Sequence, residues 1–160
     1  MLVCNPQALK TALESGQRLL GLDVGSKTVG IALSDPRLSI ASPHSTLKRG
    51  KFSIVTAQLS ELVRKEGVGG IVIGLPINMD GSEGRACQSI RQFQKNLAES
   101  LDLPMALWDE RLSTAAVTRT MIEADLSRKR QKEVVDKMAA AYILQGALDA
   151  INAASSVASD

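Results

Sequence analysis

Aromatic side chains are almost absent from this 160-residue chain: Phe52, Phe93, Trp108 and Tyr142 are all it has. That scarcity argues against a base-stacking platform of the kind that reads single-stranded nucleic acid. Any nucleic acid it binds has to be held by backbone charge and shape. Histidine is reduced to His44, and the two cysteines, Cys4 and Cys87, make no metal-ligand spacing, so no zinc site can be built. A metal here would be a hard cation held by oxygen. No serine or cysteine paired with a base can be read, and His44 has no evident partner. No apolar run nears the ~18 residues of a transmembrane helix. Residues 1–17 show no basic cluster leading into an apolar core, so no signal peptide is visible and the expected location is the cytoplasm.

A strong charge of one sign is also lacking, the formal net charge being only +2. The charge is uneven, however. Lys48, Arg49 and Lys51 form one basic cluster, and Arg128, Lys129, Arg130 and Lys132 form another. Such clusters are commonly solvated loops. They are also what a phosphate-contacting surface needs. With 44% hydrophobic and 22% charged residues, the composition is that of one ordinary globular domain with a substantial core.

The organising stretch is Arg18–Val24. Leu20, Leu22 and Val24 alternate with Leu19 and Gly21, so both faces read apolar, as in a central strand covered on both sides. Asp23 near its end is costly unless a cation or strong donors meet its charge. The plain alternative is a turn aspartate capping a hairpin. Before it, Asn5-Pro6 predicts the start of a short helix ending by Gly16, an appendage to the domain. After it, Thr28–Ser34 predicts a second strand joined as a hairpin, and Ile40–Leu47 an edge strand interrupted by Pro43. Apolar spacing predicts a helix over 51–66, closed by Gly67. Gly70–Gly74 reads as a buried strand, Leu75–Gly81 as a turn-rich loop, and Ala86 to Leu101 as a helix. Pro104–Trp108 is another buried strand, running into Asp109-Glu110-Arg111. Ser113 can cap a helix to about Ala124, residues 125–132 read as a basic loop, and Glu133 to about Ala153 is the last helix, followed by a frayed tail over 154–160. Three strands and then strand–helix alternation imply an α/β fold with a mixed sheet and helices on both faces.

Three acids stand in odd places. Asp136 heads a small, apolar stripe with Ala140, Ile143 and Ala147, the face that packs on a sheet. The alternative is an acid of the first helical turn, favoured there by the helix dipole. Glu110 follows a strand end, where ligands gather in open α/β sheets. Asp80 and Asp109 are further possibilities beside it. Asp23, Glu110 and Asp136 could converge, and their repulsion would then need a cation. Mg²⁺ or Mn²⁺ suits such oxygen ligands. Two such ions about 3.5–4 Å apart can clamp a phosphodiester during hydrolysis.

Four stretches in order carry a resemblance over about residues 18–150: Leu22–Gly30, Gly74–Gly81, Asp109–Thr114 and Asp136–Ala140. The chain resembles the YqgF/RuvX family of the ribonuclease H-like superfamily, which also holds the RuvC resolvases. The resemblance implies a five-stranded mixed sheet flanked by helices, in a single ribonuclease H-like nuclease domain over 18–153 with a helical extension over 1–17. It implies a divalent-metal nuclease acting at the 5′ end of pre-16S ribosomal RNA in ribosome biogenesis, with Asp23, Glu110 and Asp136 as catalytic, metal-binding carboxylates. Resolvase relatives place their second acid at the end of the preceding strand, where this chain has Gly74-Leu75-Pro76. Lys27 and Arg111 are candidates for contact with the scissile phosphate, or else surface ion-pair partners. Arg128, Lys129, Arg130 and Lys132 are candidates for further nucleic-acid contact.

Three other readings compete. A resolvase of branched DNA would need two symmetric sites and hence a dimer, and no clear dimer surface is legible, so a monomer or weak dimer is expected. A nucleic-acid-binding assembly factor with weak or absent cleavage is another, against which the three acids argue for metal binding but not for turnover. An actin- or sugar-kinase-like ATPase shares the Asp-x-Gly hairpin, but this chain is short for two domains and has no nucleotide loop.

Overall fold

The computed structural model describes residues 5–112 and 128–159, without the side chains of 128–136 and 154–159. β1 (Arg18–Val24) lies at the centre because both its faces are apolar. Leu20, Leu22 and Val24 join one buried cluster, and Leu19 joins a second on the opposite face. A tight link returns the chain as β2 (Thr28–Ser34), antiparallel to β1, with Leu20 opposite Leu33 and Val24 opposite Val29. β3 (Ala41–Lys48) is the expected edge strand. Its register shifts between Ser45 and Pro43, where an edge tolerates the missing proline donor. β4 (Val68–Leu75) and β5 (Met105–Asp109) extend the sheet in parallel. The strand order is β3-β2-β1-β4-β5, the five-stranded mixed sheet that was expected.

One face is covered by α2 (Phe52–Glu66) and α3 (Arg85–Leu101). Val55 and Leu59 of α2, and Cys87, Ile90, Phe93 and Leu97 of α3, fill the first cluster. Each leucine-sized side chain so buried contributes about 1.5–3 kcal/mol. Gly67 ends α2 in the left-handed region, at φ 65°.

The other face belongs to α4 (Arg128–Ser159). Ala140, Ile143, Leu144, Ala147, Leu148 and Ile151 seal the second cluster. The helix is longer than expected at both ends. Arg128–Lys132 is helical rather than a loop, and the backbone stays helical through Ser159 where a frayed tail was expected. No glycine or proline interrupts either end, and Arg, Lys, Gln and Ala are good helix formers. α4 runs opposite to β1. Its later part meets the loop before β3, where Asn152 Nδ2 donates to the Leu38 carbonyl at 3.1 Å and the Ala41 amide donates to Gln145 Oε1 at 2.9 Å. Ala41 pairs with Ser34, whose hydroxyl accepts from the Leu19 amide at the start of β1. The earlier turns of α4 therefore lie toward the end of β1. The helix expected over 113–124 falls outside the described residues.

α1 (Pro6–Ala12) begins as expected, the Asn5 side chain accepting from the Ala8 amide at 3.0 Å. It is not an appendage. Leu9 is fully buried in the second cluster, between α4 and the β4–β5 side of the sheet. A single leucine in a short polar helix gives little sign of such burial in the sequence.

Candidate active site

β1, β4 and β5 are mutually parallel and end at one edge of the sheet, with Leu22 level with Ile73 and Leu75 with Asp109. The crevice outside such carboxyl ends is where open α/β sheets place their ligands. Asp23 stands one residue before the end of β1 and is 8% exposed. Glu110 opens a 3₁₀ turn directly after β5 and is 7% exposed. Both line one cleft of about 540 Å³, together with Gly25, Ser26, Arg49, Pro76, Arg85 and Ser89. The structure thus brings Asp23 and Glu110 to a shared surface. Two buried carboxylates there are costly unless a cation or strong donors meet them.

Gly74 explains how Glu110 reaches this position. A Cβ at Gly74 would fall 3.3 Å from the Glu110 carboxyl carbon and 2.4 Å from Ile143 Cδ1. The Glu110 side chain, rooted past β5, therefore lays its carboxyl against the bare end of β4. That is the strand end where resolvase relatives were expected to carry their second acid.

Asp136 lies in α4, one turn before Ala140, whose carbonyl packs against Gly21 of β1. Its side chain is outside the described residues, as are those of Arg128, Lys129, Arg130 and Lys132. Among the described residues, no three of His, Cys, Asp and Glu cluster as a metal site. The donor set nonetheless suits a hard divalent cation: carboxylates without histidine or thiolate ligands.

The flanking acids are committed elsewhere. Arg111 forks onto Asp109, with Nη2 to Oδ2 at 2.7 Å and Nε to both oxygens at 3.1 Å. The guanidinium holds the Asp109 carboxyl below its usual range, and Asp109 raises Arg111 in return. Arg111 Nη1 also reaches the Asn78 carbonyl at 3.5 Å, so it ties the loop after β4 to the end of β5. It therefore makes the ion pair that was one of its two expected roles. Asp80 is exposed and accepts from the Ser82 hydroxyl at 2.6 Å and amide at 2.9 Å, which lowers its pKa. Lys27 is exposed in the turn between β1 and β2. Cys87 is buried beneath the loop, its thiol donating to the Pro76 carbonyl, and burial pushes its pKa up.

A family model described as "RuvX: Holliday junction resolvase" matches residues 17–150. The chain belongs to the RuvX family. It is 60% identical over 149 residues to a protein of Paramagnetospirillum magneticum named "Putative pre-16S rRNA nuclease", covering 93% of this chain and 96% of that one. A protein of Roseobacter denitrificans with the same name is 57% identical over 142 residues, covering 88% of this chain and 87% of the other. Among solved structures, the fold is similar to that of T. thermophilus RuvC in complex with a Holliday junction substrate. The TM-score is 0.53 at 12% identity, with 88% of this chain and 96% of the other covered.

Two arginines of this RuvX-family cleft escape single-residue reading. Arg49 was legible only as part of a basic cluster. The structure clamps it, with Nη1 donating to the Gly25 carbonyl at 2.7 Å, its amide to the Lys27 carbonyl at 2.8 Å, and its guanidinium 5.4 Å from the Phe93 ring centre. Arg85 went unnoticed because nothing in sequence separates it from other helix-opening residues. Its place on the cleft depends on how α3 packs against the end of β4.

Proposed function

We propose that this chain is a divalent-metal-dependent nuclease that hydrolyses phosphodiester bonds, processing the 5′ end of pre-16S ribosomal RNA in the cytoplasm. The observation that carries this reading is the pair of buried carboxylates, Asp23 and Glu110, on one cleft at the carboxyl edge of the sheet. The relatives' printed names favour ribosomal RNA over other substrates. Asp23, Glu110 and Asp136 would hold Mg²⁺ or Mn²⁺. The bound cation would neutralise the phosphodiester and lower the pKa of an attacking water. Arg49 and Arg85 face the same cleft and supply positive charge to the phosphate without competing for the cation. Lys27 and the basic start of α4 would add contacts with flanking phosphates, and Arg111 acts by fixing the loop beside Glu110.

A second reading, resolution of branched DNA, is favoured by the family model's description and by the RuvC-like fold. It requires two sites related by a dimer axis. One assay separates the two. The protein, in Mn²⁺, is given a precursor-type structured RNA and a four-way DNA junction, with Asp23→Asn as control. RNA cleavage that the substitution lowers by about 10²-fold or more is the expected result. Paired symmetric nicks in the junction, with the RNA intact, would replace it by the resolvase reading. Binding of the RNA without cleavage would make the protein an assembly factor.

A further inference from the structure

The cleft does not end at its carboxylates. Arg49 and Ser89 also belong to an adjoining furrow of about 380 Å³ lined by Gly50, Phe52, Gln92, Phe93 and Asn96. Sharing Arg49 and Ser89, the two make one groove that runs along α3 on its α2 side, leading away from Asp23 and Glu110. Along α3 its wall is Arg85, Ser89, Gln92 and Asn96, spaced by four, three and four residues and therefore on one helix face. That face lies away from Cys87, Ile90, Phe93 and Leu97, which are buried in the core.

The lining is selective. Two arginines stand at the head of the groove, Ser89, Gln92 and Asn96 follow along its α3 wall, and Phe52, Val55 and Phe93 form its floor. Past Asp23 and Glu110 no carboxylate lines it. Gln92 Nε2 donates to Asn96 Oδ1 at 2.8 Å, which orients both amides along the wall. A neutral, donor-rich wall without acids suits a sugar–phosphate backbone, since it bonds phosphate oxygens and 2′-hydroxyls without repelling them. Its two aromatic rings stand edge to face at 5.6 Å, Phe93 in the core and Phe52 half-buried above it. From Arg85 to Asn96 the helix rises about 16 Å, the length of roughly four or five stacked nucleotides.

We infer that the groove along α3 is the track for a single-stranded RNA extension leaving the scissile position, held by Arg85, Ser89, Gln92 and Asn96. The inference rests on the nuclease reading, and its test keeps the two apart. KM and kcat are measured for the full chain in Mn²⁺ on RNA duplexes carrying a two- or a six-nucleotide single-stranded extension. The variant Gln92→Glu/Asn96→Glu places two negative charges in the track, and Gln58→Glu, on the exposed surface of α2 outside it, controls for added charge. The double variant should raise KM on the long extension about tenfold, leaving kcat and the short-extension KM within about twofold, with Gln58→Glu silent. Wild-type cleavage with an unchanged long-extension KM in the double variant overturns the track and leaves the nuclease standing. Equal losses from Gln58→Glu overturn it too, since any added charge would then suffice. If the wild-type chain cuts neither RNA, the nuclease reading fails and the track falls with it.

Discussion

Gly74 and Glu110 work as a pair. Glycine at the end of β4 leaves a space, and the long side chain from beyond β5 fills it. An added methyl at Gly74 meets Ile143 Cδ1, the far end of a flexible chain that can turn away, and presses within 3.3 Å of the Glu110 carboxyl carbon. Gly74→Ala is therefore expected to cost about 1–3 kcal/mol in stability. Cleavage should fall by about 10²-fold, because a carboxylate moved by an ångström loses its reacting geometry. Gly70→Ala is the matched control. It lies on the same strand against Leu19 Cδ2 at 3.0 Å and Leu9 Cδ2 at 3.3 Å, away from the cleft. Thermal melts and cleavage rates of both variants decide the matter. Equal cleavage in the two would remove Glu110 from the reaction.

Among elements, the contact between β1 and α4 sets how closely the last helix approaches the site. At Gly21 a Cβ would lie 2.7 Å from Leu144 Cβ and 3.0 Å from the Ala140 carbonyl. Both atoms are rooted in the helix backbone, so neither can swing aside. Gly21→Ala should cost about 1–3 kcal/mol or more by pushing α4 off the sheet, whereas Gly50→Ala, with nothing within 4 Å, should be near neutral. Chemical denaturation of the two variants measures the difference, and equal midpoints would refute so close a seat. The sequence shows why some of this is legible and some is not. Period-two alternation and one acid in an apolar run mark β1 and Asp23, and a glycine stop marks the end of α2. The closeness of Gly21 to α4, the filling of Gly74 by Glu110, and the seat of Arg85 on the cleft depend on the register of parallel strands and on helix placement. These are long-range relations that no local spacing encodes. The burial of Leu9 is a relation of the same kind, decided by tertiary packing, whereas the length of α4 follows from the helix propensity of its ends.

At the scale of the whole molecule, the proposed metal site would couple cation binding to folding. The strands that carry Asp23 and lead into Glu110 lie side by side only through β4, which pairs with both. A cation held by these carboxylates binds the folded sheet and has no comparable site on the unfolded chain, so it must stabilise the fold by mass action. At a hundredfold excess over its dissociation constant the gain is about 2.7 kcal/mol. For a chain of this size that raises the melting temperature by about 5–10 °C. The wild-type protein should show this rise in Mn²⁺ or Mg²⁺, and EDTA should reverse it. Asp23→Asn should remove most of the rise, whereas Asp80→Asn, whose carboxylate is held by Ser82 on the exposed loop, should keep it. The measurement needs no substrate, so it tests the carboxylate site independently of which nucleic acid is cut. A rise that survives Asp23→Asn in full would place the cation elsewhere on the molecule and remove Asp23 from its site.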